Sequence, residues 1–106
     1  MAGNHKPKFK VGHVTKAKEQ VTELLDRAVA AGIAKDVAAA LTSAMGFLES
    51  SPLVWGEPHY HTHLQGGTVR SAVHEGLAFE YVVYEHQRIV LLLAVIPLGN
   101  HPLGRE

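Results

Sequence analysis

Hydrophobic positions change rhythm along the chain. Phe9-Lys10-Val11-Gly12-His13-Val14 alternates apolar and polar residues with period two, which predicts a short strand. From Thr15 the period lengthens. Val21, Leu24, Leu25, Ala28 and Val29 recur at i, i+3, i+4, i+7 and i+8, the stripe of an amphipathic helix. Its wet face carries Lys18, Glu19, Thr22, Glu23, Asp26 and Arg27. Thr15 reads as the N-cap and Gly32 as the stop. A second helix is expected from about Ala34 to Glu49 on the stripe Val37, Leu41, Met45 and Leu48, with Ser50-Ser51-Pro52 ending it. The short join makes the two an antiparallel hairpin.

After residue 66 the period returns to two. Gly66–His74, Leu77–Glu85 and Arg88–Leu98 read as three strands separated by short turns at His74-Glu75-Gly76 and Glu85-His86-Gln87, so neighbours run antiparallel. Ile89–Leu98 is apolar on both faces, which predicts a strand inside a covered sheet. Residues 52–67, with two prolines and three glycines, read as a loop with a short extended piece at Tyr60–Leu64. The order is β-α-α-β-β-β, an α+β domain with an antiparallel sheet packed on an N-terminal helical hairpin. Residues 1–8 are expected to be a disordered basic arm, 9–98 the domain, and 99–106 a flexible tail.

A chain of 106 residues is long enough for one core. There is no cysteine, which excludes disulfides, thiolate metal sites and cysteine nucleophiles. The longest apolar run is too short to span a bilayer, and no signal peptide is read, so the expected place is the cytoplasm. The formal net charge is zero but unevenly spread. Residues 1–18 hold five lysines and no acid, whereas the remainder holds five basic and ten acidic residues. The lysines Lys6, Lys8, Lys10 and Lys16 are candidate RNA contacts, because a basic arm is drawn to phosphates.

Several phrases together resemble the RelE/ParE toxin superfamily of type II toxin–antitoxin pairs. Phe47-Leu48-Glu49-Ser50-Ser51-Pro52 is similar to the family's exit from its second helix, and Trp55-Gly56-Glu57-Pro58 to the loop that follows. Val69-Arg70, Tyr81-Val82-Val83-Tyr84-Glu85 and Ile89–Val95 are similar to its strands. The resemblance implies a small toxin neutralised by a cognate antitoxin, with mRNA on the ribosome or DNA gyrase as the target. It implies a phosphate-binding role for Arg70. Tyr81 stands where the family's second-strand arginine would fall, and Pro102 where a further basic residue would follow His101.

Metal-independent RNA cleavage needs a base, an acid and a cation for the phosphorane. Arg70 can supply the cation, Tyr84 the acid or a stacking surface, and His101 or His63 a proton carrier. The structural alternative for Arg70 is an ion pair with Glu80. His59-Tyr60-His61-Thr62-His63 offers another chemistry. If extended, His59, His61 and His63 share one face, a spacing that suits Zn, Cu or Ni, with His74 or Glu57 completing the shell. Trp55 reads as a lid over the core or as a partner contact. A third reading is an inactive family member serving as a protein-binding module. An exposed sheet edge makes a homodimer conceivable.

Overall fold

In the computed structural model, residues 8–64 and 66–104 are described, with 59–64 described as backbone alone. The period-two opening forms β1 (Lys10–His13), and the two helical stripes form α1 (Thr15–Ala31) and α2 (Ala34–Ser50). A one-turn helix α3 (Pro52–Trp55) leads into β2 (Glu57–Leu64), followed by β3 (Gly67–His74), β4 (Leu77–Tyr84) and β5 (Ile89–Pro97). The strands form one sheet in the order β1-β5-β4-β3-β2.

Two features enlarge the expected β-α-α-β-β-β order. β1 pairs with β5 in parallel, so the sheet is mixed rather than wholly antiparallel. The helical hairpin between β1 and the later strands carries the chain back, which lets β1 lie alongside β5 in the same direction. The segment 52–67, expected as a loop, holds α3 and the edge strand β2. Pro52 opens α3, where its missing N–H is no loss. Pro58 lies on an edge strand, the one place in a sheet that tolerates it.

The core lies between one sheet face and the helices. Leu77, Phe79, Tyr81 and Val83 of β4 alternate toward it, with Val90, Leu92 and Val95 of β5. β5 carries a bulge: Tyr81 pairs with Leu92 but Glu80 pairs with Ala94, leaving Leu93 without an opposite residue. β1 has ended by then, so the Val95 N–H donates to Gln20 Oε1 of α1 instead (2.8 Å). Contrary to the doubly covered strand expected, β5 is buried on one face and only partly on the other, where Ile96 is 48% exposed.

α2 is rotated from its expected stripe. It buries Val37, Ala40, Ala44 and Leu48, while Leu41 is half-buried and Met45 is exposed. The alanines let the helix backbone approach the sheet closely. Thr15 is the first helical residue of α1, and Val14 takes the N-cap position without a side-chain cap. Gly32 ends the helix in the left-handed region (φ 78°), as its position suggested.

The segment after β5, as far as Gly104, is fastened rather than free. Leu98 N–H donates to Gly76 O (2.8 Å), Arg27 donates to Leu103 O, and the Leu103 side chain is buried. No helix among the described residues is long and apolar enough to cross a membrane.

Candidate functional site

Arg70 and Tyr81 face each other across β3 and β4, on the side toward the helices. Above them runs the turn from α3 into β2. One terminal nitrogen of Arg70 donates to both Leu53 O and Gly56 O, each at 2.7 Å. The Tyr81 hydroxyl donates to Pro52 O at 2.7 Å. Three main-chain carbonyls of this turn are thus held by two side chains of the sheet. Arg70 Nε is buried without a hydrogen-bond partner. Burial pushes the Tyr81 hydroxyl above its ordinary pKa, and the Arg70 guanidinium beside it opposes that shift. Gly56 is required by space: a Cβ there would lie 2.4 Å from Tyr81 Oη and 2.8 Å from Ser71 O.

This arrangement gives Arg70 a structural task. Its guanidinium is directed at protein carbonyls, and Glu80 does not pair with it, because Glu80 sits opposite Ser71 on the other face of the sheet. Sequence reasoning missed the strut because the acceptors lie 17 and 14 residues away on a turn that shows no periodicity.

Trp55 covers the strut. Its ring stacks on Tyr81 (5.9 Å between centroids, 22°) and on Phe47 (5.3 Å, 16°), and tilts against Phe79 (5.4 Å, 52°). His74 meets both Phe47 and Trp55 edge-on (5.5 and 6.4 Å). Trp55 is therefore half-buried as a lid, and Phe47, 38% exposed, is the outer leaf of the stack.

The other residues proposed for chemistry are dispersed. Tyr84 ends β4 on the sheet face opposite Arg70, with its ring over Gly67, where a Cβ would come within 2.8 Å of Cε1. His101 is at the other end of the sheet. Its ring packs on Gly76 of the β3–β4 turn, and its Nδ1 accepts the Leu103 N–H (3.0 Å), so the neutral ring carries its proton on Nε2. The seven steps of β4 from Leu77 to Tyr84 separate these two ends by about 23 Å at ~3.3 Å per residue. The structure thus does not bring Arg70, Tyr84 and His101 into one centre.

Lys10 pairs with Ile89, and Ile89 with Tyr84, so Lys8 and Lys10 are exposed at the Tyr84 end. Lys16 is exposed in the first turn of α1. The backbone of His63 pairs with Thr68, itself opposite Val83, at the same end. The side chains of His59, His61 and His63, and all of Lys6, lie outside the described residues. Among the described residues no group of three or more His, Asp or Glu is placed to hold a metal ion.

A cleft of about 420 Å³ opens between α2, the β3–β4 turn and the fastened tail. Ile33, Val37, Ala39 and Ala40 form its apolar wall, with Asp36, Ser43, His74, Glu75 and His101 around it. It adjoins the aromatic stack through His74, which belongs to both. Nothing in the sequence indicated that Asp36 and Glu75 share a cleft, because they come from a helix and a turn about 40 residues apart.

The fold matches solved structures. A chain of the toxin–antitoxin complex RelBE2 from Mycobacterium tuberculosis matches with a TM-score of 0.67 at 23% identity, over 91% of this chain and 98% of that one. A chain of the chromosomal ParDE TA system from P. aeruginosa matches with a TM-score of 0.60 at 14% identity, over 85% of this chain and 96% of that one. The RelE/ParE-like fold expected from the strand phrases is therefore the fold observed, and at these identities the likeness is one of fold. No protein-family model matches the sequence, and no curated protein matches it.

Proposed function

We propose that the protein is the toxin-like component of a type II toxin–antitoxin pair and is neutralised by a cognate antitoxin protein. The observation that carries this reading is the match, over nearly the whole of both chains, to a chain of a toxin–antitoxin complex. Expression of the protein alone is expected to arrest bacterial growth, and co-expression of the product of the adjacent gene to restore it. Normal growth of cells that accumulate folded protein would overturn the reading.

A second, finer reading is an mRNA endoribonuclease. Its support is the placement of Tyr84, Lys8 and Lys10 at one end of the sheet. In this reading Tyr84 acts as proton donor or base-stacking platform, and the lysines hold the phosphate backbone. Arg70 acts at a distance, by holding the fold, and His101 takes no part. Tyr84→Phe is then expected to lower cleavage at least tenfold if the hydroxyl is the acid, and to leave it near wild type if the ring only stacks. Cleavage unchanged in both Tyr84→Phe and Tyr84→Ala would remove Tyr84 from the site.

A further inference from the structure

The cleft beside α2 adjoins the aromatic stack through His74, which lines the one and touches the rings of the other, and the two together make a groove along α2. Asp36, Ala40, Ser43 and Phe47 follow one another on α2 at spacings of four, three and four, a single stripe of the helix. Asp36, Ala40 and Ser43 line the cleft, and Phe47 stacks on Trp55 beyond it. The β3 end faces this stripe with His74, which touches Phe47, and with Glu75. From Asp36 to Phe47 the helix rises about 16 Å at ~1.5 Å per residue. One end of the groove therefore carries two exposed carboxylates, and the other an exposed aromatic ring backed by a second ring.

The charge of the molecule selects the occupant. Beyond residue 18 the sequence has five basic and ten acidic residues. Three of the basic ones are drawn into the structure: Arg27 donates to Leu103 O, Arg70 to Leu53 O and Gly56 O, and the Arg88 guanidinium lies 4.2 Å from the Phe9 ring centroid. Among the described residues no lysine or arginine lines the cleft, and its charged side chains are the carboxylates of Asp36 and Glu75, beside the imidazoles of His74 and His101. A phosphate or nucleic-acid backbone would be repelled there, whereas a cation would be drawn in.

We propose that this groove docks a segment of a partner protein that places an arginine between Asp36 and Glu75 and an aliphatic side chain on Phe47. Guanidinium fits because its planar fork can serve two carboxylates, and its weak hydration suits a cleft with an apolar wall. An extended segment alternates its side chains, so two anchors on one face need an even spacing: i and i+4 span about 13 Å at ~3.3 Å per residue, and the long arginine side chain covers the remainder. The docking surface lies at the opposite end of the sheet from Tyr84, so it is separate from the site of any nuclease activity and stands or falls independently of the toxin reading.

The test uses the full chain and a synthetic pentapeptide, acetyl-Arg-Ser-Ala-Ser-Leu-amide, whose arginine and leucine share one face when extended. Trp55 is the sole tryptophan and lies at the apolar end, so its fluorescence reports arrival of the leucine, with calorimetry as an independent readout. The peptide is expected to bind and to perturb Trp55. Binding is expected to weaken on the order of tenfold in an Asp36→Asn/Glu75→Gln double variant and to fall with added salt. Both substitutions are at exposed positions, and circular dichroism verifies that the fold is kept. A peptide with glutamate in place of arginine is expected not to bind. Equal affinity for the glutamate peptide, indifference to the double variant, or no binding at millimolar peptide would each overturn the proposal. So would loss of peptide binding as the protein is concentrated, because a second copy would then be the occupant.

Discussion

Arg70, Tyr81 and Gly56 depend on one another. Gly56 leaves the space that Tyr81 Oη fills, Tyr81 reaches Pro52 O through it, and Arg70 fixes the next carbonyls of the same turn. Gly56→Ala would push a methyl against a backbone oxygen as well as the hydroxyl, so a loss of about 1–3 kcal/mol is expected in urea unfolding. The residue's φ of −106° suits any side chain, so the cost is one of space alone. Tyr81→Phe keeps the ring stack but leaves Pro52 O without its donor, a loss of about 1 kcal/mol. The same variant isolates a pH effect. The folded hydroxyl is held above 10.0, the ordinary value, chiefly by desolvation. The stability this contributes is complete below 10.0 and is lost as pH rises, because the unfolded chain releases the proton first. Wild type is therefore expected to lose more stability than Tyr81→Phe between about pH 8 and about pH 11, and parallel losses would contradict the shift. Arg70 itself was visible in the sequence only as a cation on a strand, and its partners could not be read there. A side chain's donors follow the chain as it folds back, and periodicity does not encode where an irregular turn comes to rest.

The same limit operates on whole elements. α1, α2 and the three consecutive strands are legible because each repeats a long, one-sided apolar pattern. β2 has no such pattern. Its prolines and histidines read as a loop, and it exists through main-chain pairing with β3 at the sheet edge. The parallel partnership of β1 and β5 is equally silent, since it joins residues about 80 positions apart. The C-terminal segment offers the clearest test at this scale. Leu103 is 5% exposed, and Arg27 donates to its carbonyl while its N–H meets His101. Leu103→Ala is therefore expected to cost about 2 kcal/mol, at the low end for a buried leucine because a terminal segment can settle. Hydrogen exchange at His101 and Gly104, whose N–H groups donate to Leu98 O and His101 O, is expected to quicken in that variant. Unchanged stability and exchange would mean that the tail is not fastened.

Across the whole molecule, the ends of the sheet have opposite character. Lys8 and Lys10 stand with Tyr84 at one end, and Asp36 and Glu75 flank the cleft at the other. A net charge of zero conceals this, because it averages a basic start against an acidic body. The scaffold was legible in the sequence through its strand phrases. The chemistry was not, since the residues picked for it are scattered by the topology: Arg70 turns inward, Tyr84 faces the opposite side and His101 sits about 23 Å along the sheet at ~3.3 Å per residue. If RNA binds, the lysine end is where electrostatics favours it. Each lysine that neutralises a phosphate of single-stranded RNA contributes about −0.7 to the slope of log affinity against log salt. Replacing Lys8 and Lys10 with glutamine is thus expected to flatten that slope by about 1.4 for poly(U). Both side chains are exposed, so thermal unfolding is expected to stay close to wild type. Replacing Asp36 and Glu75 is expected to leave the slope as it is, because they lie at the far end and repel the backbone. A slope unaltered by the lysine changes would separate the basic end from RNA and leave protein partners as its use.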